Sequence, residues 1–356
     1  MAEKSLMVIA AHCDDIELNF AGTMFKYHEK FGYDIIYVQS TNNMSGLWSE
    51  ATAGEHAGLS KLPGWIAEKK TTPYPGLKRL THLVPWYYEI QQRKKEAADA
   101  ARDCFHTVPI HLDYAQRHYT DRDLKKIDLR YGAPAPDCYD PAVPTIMTAC
   151  DDPAQIERVA KLILDKDPEV IFTHPAVDYT FEHTGTTLLV QKAFCKAERA
   201  GYKGSLICAA APGKNNMGRF FDRWDSFIDT TGLMQKKMEA VGKHACQISY
   251  PDHVCFFDPY AGKICGCETA ETYVVVRLSA VRSGALTREL ARNHKFCNEN
   301  WMKLFFSKAS EVVFEDFDIM CRRKQAHWEK LARQKTAPAA GGVCKTARMK
   351  RRPARK

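Results

Sequence analysis

The first apolar run of the chain, Leu6–Ala11, has the length and composition of a strand buried on both faces. It stops at a polar turn, His12-Cys13-Asp14-Asp15, and a helical pattern follows in which Ile16, Phe20, Met24 and Tyr27 recur at three or four residues. Phe31-Gly32 ends that helix as a glycine C-cap. Asp34–Ser40 reads as a second strand, with the polar loop Thr41–Gly46 at its carboxyl end. Residues 48–87 carry Pro63, Pro73, Pro75 and Pro85 and predict a long excursion over that end of the sheet. The pattern then predicts a helix over 88–104, a strand over 108–114 and a second irregular excursion over 115–150.

Asp152–Asp165 is predicted helical, with an apolar face of Ile156, Val159, Ala160, Ile163 and Leu164. Val170–Thr173 reads as a buried strand, and a helix runs from near His183 to Arg199. A short strand at Ser205–Ala210, a helix over 232–243, a strand within 266–276 and helices over 287–305 and 316–335 complete the pattern. Alternating strands and helices without an internal repeat predict an α/β fold, a Rossmann-like three-layer sandwich with a mostly parallel sheet. It is expected to cover residues 1–335, with residues 336–356 as a flexible basic tail.

Composition changes this picture in a few places. The net charge of +8 invites a nucleic-acid partner, but seven basic residues and no acid lie in the last twelve positions, Lys345–Lys356. Without them the remainder carries about +1, so no specific nucleic-acid binding is expected. No apolar run reaches the roughly 18 residues needed to cross a bilayer. The N-terminus leads straight into the first strand, with no room for a signal peptide, so a cytoplasmic protein is expected. The thirteen cysteines are scattered and odd in number, and read as reduced thiols. Homo-oligomerisation is left open.

The chemistry gathers where the strands end. In an open α/β sheet, ligands and catalytic groups collect at the carboxyl ends of strands. The turn after strand one places an imidazole and two carboxylates within four residues, and zinc accepts both donor types. The competing reading is a helix N-cap beside a turn histidine. A second polar segment, His174-Pro-Ala-Val-Asp178-Tyr-Thr180-Phe-Glu182-His183, follows the strand at 170–173. The right-handed crossover rule brings it to the same end of the sheet.

His12–Glu17 resembles the Ala-His-Pro-Asp-Asp-Glu signature of the LmbE-like, or PIG-L, family of zinc-dependent de-N-acetylases, with Cys13 in place of proline and Ile16 ahead of the acid. Thr180–His183 resembles that family's His-x-Asp-His segment, with Thr180 for the first histidine and Glu182 for the aspartate. Weaker likenesses are Arg93-Lys-Lys-Glu96-Ala to its Arg-x-x-Glu-Ala helix, His244-Ala-Cys-Gln247 to its His-x-Ser-Gln segment, and the strand around Ala270-Glu271.

The resemblance implies a zinc site, or one for another divalent metal, held by His12, Asp15 and His183, with Asp14 as general base. It implies substrate contacts from Arg93, Thr180 and Asp178; for Arg93 the alternative is an exposed i, i+3 pair with Glu96. The implied activity is hydrolysis of an N-acyl, most plausibly N-acetyl, amide on a small-molecule amino sugar or glycoconjugate, releasing acetate and a free amine. The histidine missing at Thr180 leaves three explanations. Another residue, with His174, Asp178 and Tyr179 nearest, takes over; the substrate geometry differs; or the chain is a weak or inactive member that keeps the metal. A non-catalytic metal or glycan binder is therefore the rival reading. A nucleotide-binding protein is disfavoured because no Gly-x-Gly-x-x-Gly follows strand one. His106, His111, His118, His253 and His294 read as surface or satisfied core, and His244 is drawn towards the site only by the family likeness.

Overall fold

A computed structural model describes residues 4–43, 84–116, 118–120, 126–128, 144–175, 178, 180–210, 224–245 and 257–306. Seven strands form one sheet in the order β3-β2-β1-β6-β7-β9-β8. They are β1 (Ser5–Ala10), β2 (Asp34–Thr41), β3 (Ile110–Tyr114), β6 (Val170–Thr173), β7 (Ser205–Ala209), β8 (Ser226–Asp229) and β9 (Ala270–Arg277). β1 pairs in parallel with β2 and β6, as does β2 with β3 and β6 with β7. β9 runs antiparallel to both β7 and β8. The fold is the α/β sandwich with a mostly parallel sheet that the alternating pattern predicts.

Alternation within single strands sorts side chains into two cores. Leu6, Val8 and Ala10 of β1 pack with Ile16, Phe20 and Met24 of helix α1 (Asp15–Phe31) on one face. Met7 and Ile9 face the other way, against Val159, Ala160 and Ile163 of α4 (Pro153–Lys166) and Leu189, Val190 and Ala193 of α5 (Phe181–Arg199). β6 divides likewise, with Val170 and Phe172 on the α1 side and Ile171 on the other. This is the period of two expected when a strand is covered on both faces.

Local signals fix several helix ends. Gly32 adopts φ 67°, and its N–H bonds to the His28 carbonyl while Tyr33 N–H returns to Tyr27, closing α1. Asp152 caps α4 by accepting from Ala154 N–H, with Pro153 in the first turn. The other helices are α2 (Val84–Phe105), α3 (Ile146–Ala149), α6 (Met234–Gly242), α7 (Phe257–Cys265) and α8 (Ala285–Phe306). No helix among the described residues is long and apolar enough to cross a membrane.

The structure differs from the sequence reading in three places. The excursion over 115–150 is partly regular: β4 (His118–Thr120) and β5 (Lys126–Asp128) pair antiparallel, and α3 follows. β8 and α7 are additional elements. The first excursion ends earlier than expected, because α2 begins at Val84; residues 44–83 and the helix expected over 316–335 lie outside the described residues. The chain divides into the units Met1–Val312 and Val313–Lys356, and every described residue belongs to the first.

The topology locates the site. The chain runs outward from β1 through β2 to β3, then returns to β6 on the opposite side of β1. The strand order therefore reverses between β1 and β6, the position beyond whose carboxyl ends open α/β sheets bind their ligands. The His12–Asp15 turn and the His174–His183 segment both emerge there.

Candidate metal centre

The turn after β1 is held mainly by side chains. Ala11 N–H donates to Nε2 of His174 (2.7 Å), His12 N–H to Oδ2 of Asp15 (2.7 Å) and Cys13 N–H to Oδ1 of Asn43 (2.8 Å). The Ala11 carbonyl accepts from both the N–H and the hydroxyl of Thr41, and the Cys13 carbonyl from the Tyr37 hydroxyl. Buried backbone groups outside a helix or sheet need such partners, so the loop is fixed by the elements around it.

Three donor atoms meet above this loop. Nδ1 of His12 lies 3.1 Å from Oδ2 of Asp15 and 3.2 Å from Nε2 of His183, and the last two are 3.2 Å apart. A tetrahedral ion with bonds of about 2.0 Å places its ligands about 3.3 Å from one another. The near-equilateral triangle is thus one face of such a tetrahedron, and two imidazoles with a carboxylate are a donor set that suits zinc.

The electrostatics favour a positive charge at its centre. Asp178 accepts from Nδ1 of His183 at 2.9 Å, so a neutral His183 turns a bare Nε2 lone pair towards the Asp15 oxygen. Two lone pairs at that distance repel unless a proton or a cation lies between them. In the metal-free protein the proton does so: burial opposes it, but the Asp15 and Asp178 carboxylates raise His183 to about 10. Asp15 is held well below its ordinary value despite burial, by the imidazoles of His183, His174 and His12.

The other expected residues take varied positions. Asp14 occupies the N-cap of α1 without a side-chain cap bond, and its Oδ1 accepts from Nη2 of Arg93 at 3.3 Å. Arg93 is buried, as is Glu96, so neither stands exposed on the helix surface, and Arg93 also donates from Nε to Sγ of Cys13 at 3.1 Å. Through Cys13 and Asp14 it contacts the loop. Asp178, expected at the substrate, has its carboxylate bound to His183 and to Thr180 N–H (2.8 Å). Thr180 caps α5 without a side-chain cap bond, leaving its hydroxyl uncommitted to the helix.

His174 was among the groups expected to replace the missing histidine. It is fully buried, its Nε2 receives Ala11 N–H, and its ring stacks on His183 with centroids 3.9 Å apart and planes at 5°. Burial and the neighbouring His183 lower it to about 4. It buttresses the centre, and the proton it carries on Nδ1 is buried without a hydrogen-bond partner among the described residues. His174, Asp178 and His183 also group closely, with Nε2 of His174 receiving Ala11 N–H and Nδ1 of His183 facing Asp178. Glu17 lies away from the triangle, buried against Nε2 of His244 at 2.8 Å; burial opposes it, but that carboxylate holds His244 well above its ordinary value. The sequence reading missed Asn43, whose one signal was its place in the polar loop after β2.

A family model described as GlcNAc-PI de-N-acetylase (PIG-L) matches residues 7–194. No curated protein matches the chain. Among solved structures, it is similar to the conserved protein TT1542 from Thermus thermophilus, at 18% identity over 78% of this chain and 95% of that one, TM-score 0.47. It is similar to the N,N'-diacetylchitobiose deacetylase from Pyrococcus horikoshii, at 16% identity over 78% and 85%, TM-score 0.48. It is also similar to GalB, the 4-carboxy-2-hydroxymuconate hydratase from Pseudomonas putida, at 18% identity over 79% and 100%, TM-score 0.49.

Proposed function

The chain belongs to the PIG-L family, and from that premise we propose that it is a zinc-dependent N-deacetylase acting on an amino sugar or glycoconjugate. The observation that carries this reading is the triangle of His12 Nδ1, Asp15 Oδ2 and His183 Nε2, with edges of 3.1–3.2 Å, at the switch point of the sheet. These three residues would hold the ion. When bound, it supplies Lewis acidity and an acidified water.

The remaining steps belong to side chains. Asp14 sits beside the ligand Asp15 with its carboxylate free of helix capping, and takes the proton of the attacking water. The water oxygen adds to the acyl carbon, the C–N bond breaks, and Asp14 returns the proton to the leaving amine. Arg93 holds Asp14 in place. Asp178 fixes the tautomer of His183, and Thr180 offers its hydroxyl to the substrate. The products are acetate and a free amine, and the enzyme is cytoplasmic.

The test is acetate release from a panel of N-acetylglucosaminides, including N-acetylglucosaminyl phosphatidylinositol, by purified protein with and without chelator. Chelator-sensitive release from a panel member supports the reading, and none from any member overturns it. A second reading is favoured by Thr180 standing where the family motif has histidine. On it the chain keeps the metal and binds a glycan without turning it over. Stoichiometric zinc with no turnover across the panel would select it.

A further inference from the structure

We infer that Asn43 is a positioning residue for the metal centre, acting through the backbone of Cys13; the inference rests on the metal reading above. Asn43 is the last described residue after β2 and is fully buried. Its φ is 59°, in the left-handed region that asparagine tolerates better than most side chains. This conformation turns its side chain back over the β1 loop, where Oδ1 accepts Cys13 N–H at 2.8 Å. Its own N–H contacts Oγ1 of Thr41 at 3.3 Å, and that hydroxyl donates to the Ala11 carbonyl at 2.7 Å.

The end of β2 therefore grips both peptide groups that flank His12. Thr41 holds the one before it through Ala11 C=O, and Asn43 holds the one after it through Cys13 N–H. His12 and Asp15 are both ligands, and Cys13 and Asp14 are the residues between them. The Cys13 peptide is the link whose rotation would separate Nδ1 of His12 from Oδ2 of Asp15. Glycine would satisfy the backbone geometry at position 43 but would leave a buried N–H without its acceptor, and such a group forfeits its full hydration.

A substitution cycle read by zinc affinity, measured by competition with a chromophoric chelator, tests this. Asn43→Gly is expected to weaken zinc about tenfold, in the range seen when an outer partner of a metal site is removed. Asn43→Asp keeps the acceptor oxygen and is expected to restore binding to within about threefold. Proline has no N–H, so in a Cys13→Pro background Asn43→Gly is expected to change affinity less than about twofold. In a Cys13→Ala background, where the N–H remains, the full loss is expected. Hydrogen exchange gives a readout independent of metal: the Cys13 amide should exchange at least about tenfold faster in Asn43→Gly. An undiminished loss in the Cys13→Pro background, or an unchanged Cys13 exchange rate, would overturn the inference. Failure of the unsubstituted protein to bind zinc would overturn the metal reading itself and this inference with it, and that result is seen before any variant is made.

Discussion

Oδ2 of Asp178 lies 2.9 Å from Nδ1 of His183, and this contact decides which nitrogen of the imidazole is free. The other oxygen, Oδ1, accepts Thr180 N–H at 2.8 Å. In Asp178→Asn the amide oxygen keeps the Thr180 contact, and the NH2 group is left facing Nδ1. His183 must then accept at Nδ1 and carry its proton on Nε2, the atom that faces Asp15. The substitution should weaken zinc by about 10- to 100-fold. Asp178→Ala, which imposes no tautomer, should lose less. Zinc titration of both variants beside the parent checks the order.

Removing the metal should expose a pH dependence of stability. In the metal-free protein His183 is raised to about 10, from about 6.5 in an unfolded chain. A folded value above the unfolded one means the folded state binds the extra proton, so its contribution is complete below about pH 6.5 and is lost as pH rises through about 10. Thermal melts of chelator-treated protein should therefore fall between pH 7 and 10. The same proton must leave when zinc binds, so zinc affinity should rise about tenfold per pH unit over that interval. Melts with saturating zinc should lack the decline.

The parts of the centre that are legible in sequence are those whose signal is local. Leu6–Ala11 is an uninterrupted apolar run, and His12, Asp14 and Asp15 directly follow it, so strand, loop and donors can be read in one window. His183 is legible because its segment also follows a buried strand. The buttressing is not legible. His174 meets Ala11 across 163 residues and Asn43 meets Cys13 across 30, and no spacing rule reports such pairs. β8 escapes because it is four residues long and gains its place by pairing with β9 and by hydrogen bonds to α8, both remote in sequence. α7 contains Pro259 and Gly262, which read as loop signals. The proline falls in the first turn, where it is tolerated. The glycine is required by packing, since a Cβ there would sit 2.4 Å from the Glu268 carbonyl oxygen.

Lys237 ties together elements distant in sequence. Its Nζ lies 2.5 Å from Oδ2 of Asp258 on α7 and 2.6 Å from Oε1 of Glu271 on β9, with all three side chains buried. Glu271 in turn accepts the N–H groups of Gly22 and Thr23 on α1. Lys237→Met would leave two buried carboxylates without their shared cation, and breaking a buried pair from one side costs about 3–5 kcal/mol. Urea unfolding should show a loss of that size, with the His12–Asp15 loop otherwise unchanged.

The general-base role proposed for Asp14 can be tested separately from metal retention. Its carboxylate is outside the triangle of donors and is steadied by Arg93 at 3.3 Å. Asp14→Asn keeps size and hydrogen bonding but cannot take a proton near neutral pH. Turnover of any N-acetyl substrate identified in the panel should fall by about 10²- to 10⁴-fold. Zinc affinity should stay within about threefold of the parent. Equal losses of metal and activity would show that Asp14 serves the ligand set instead.

Thr180 is where this chain departs most from its family. It sits at the N-cap of α5, three residues before His183, and is partly exposed. A hydroxyl is neutral and is no acid near pH 7, so it offers at most a hydrogen bond to a developing oxyanion. Of the groups expected to compensate, Asp178 is engaged by His183 and Thr180 N–H, whereas His174 uses Nε2 for Ala11 N–H and keeps a buried Nδ1 without a partner among the described residues. Loss of one oxyanion donor typically costs about 10²- to 10³-fold in rate. Thr180→His should recover a measurable part of that, raising turnover of an N-acetyl amino sugar at least about tenfold with zinc content unchanged. The gain should lie in kcat rather than KM, because the added imidazole acts on charge that develops in the transition state. A variant that binds zinc normally and turns over no faster would mean the native substrate needs no donor at this position, and the search would move to acyl amides of different geometry.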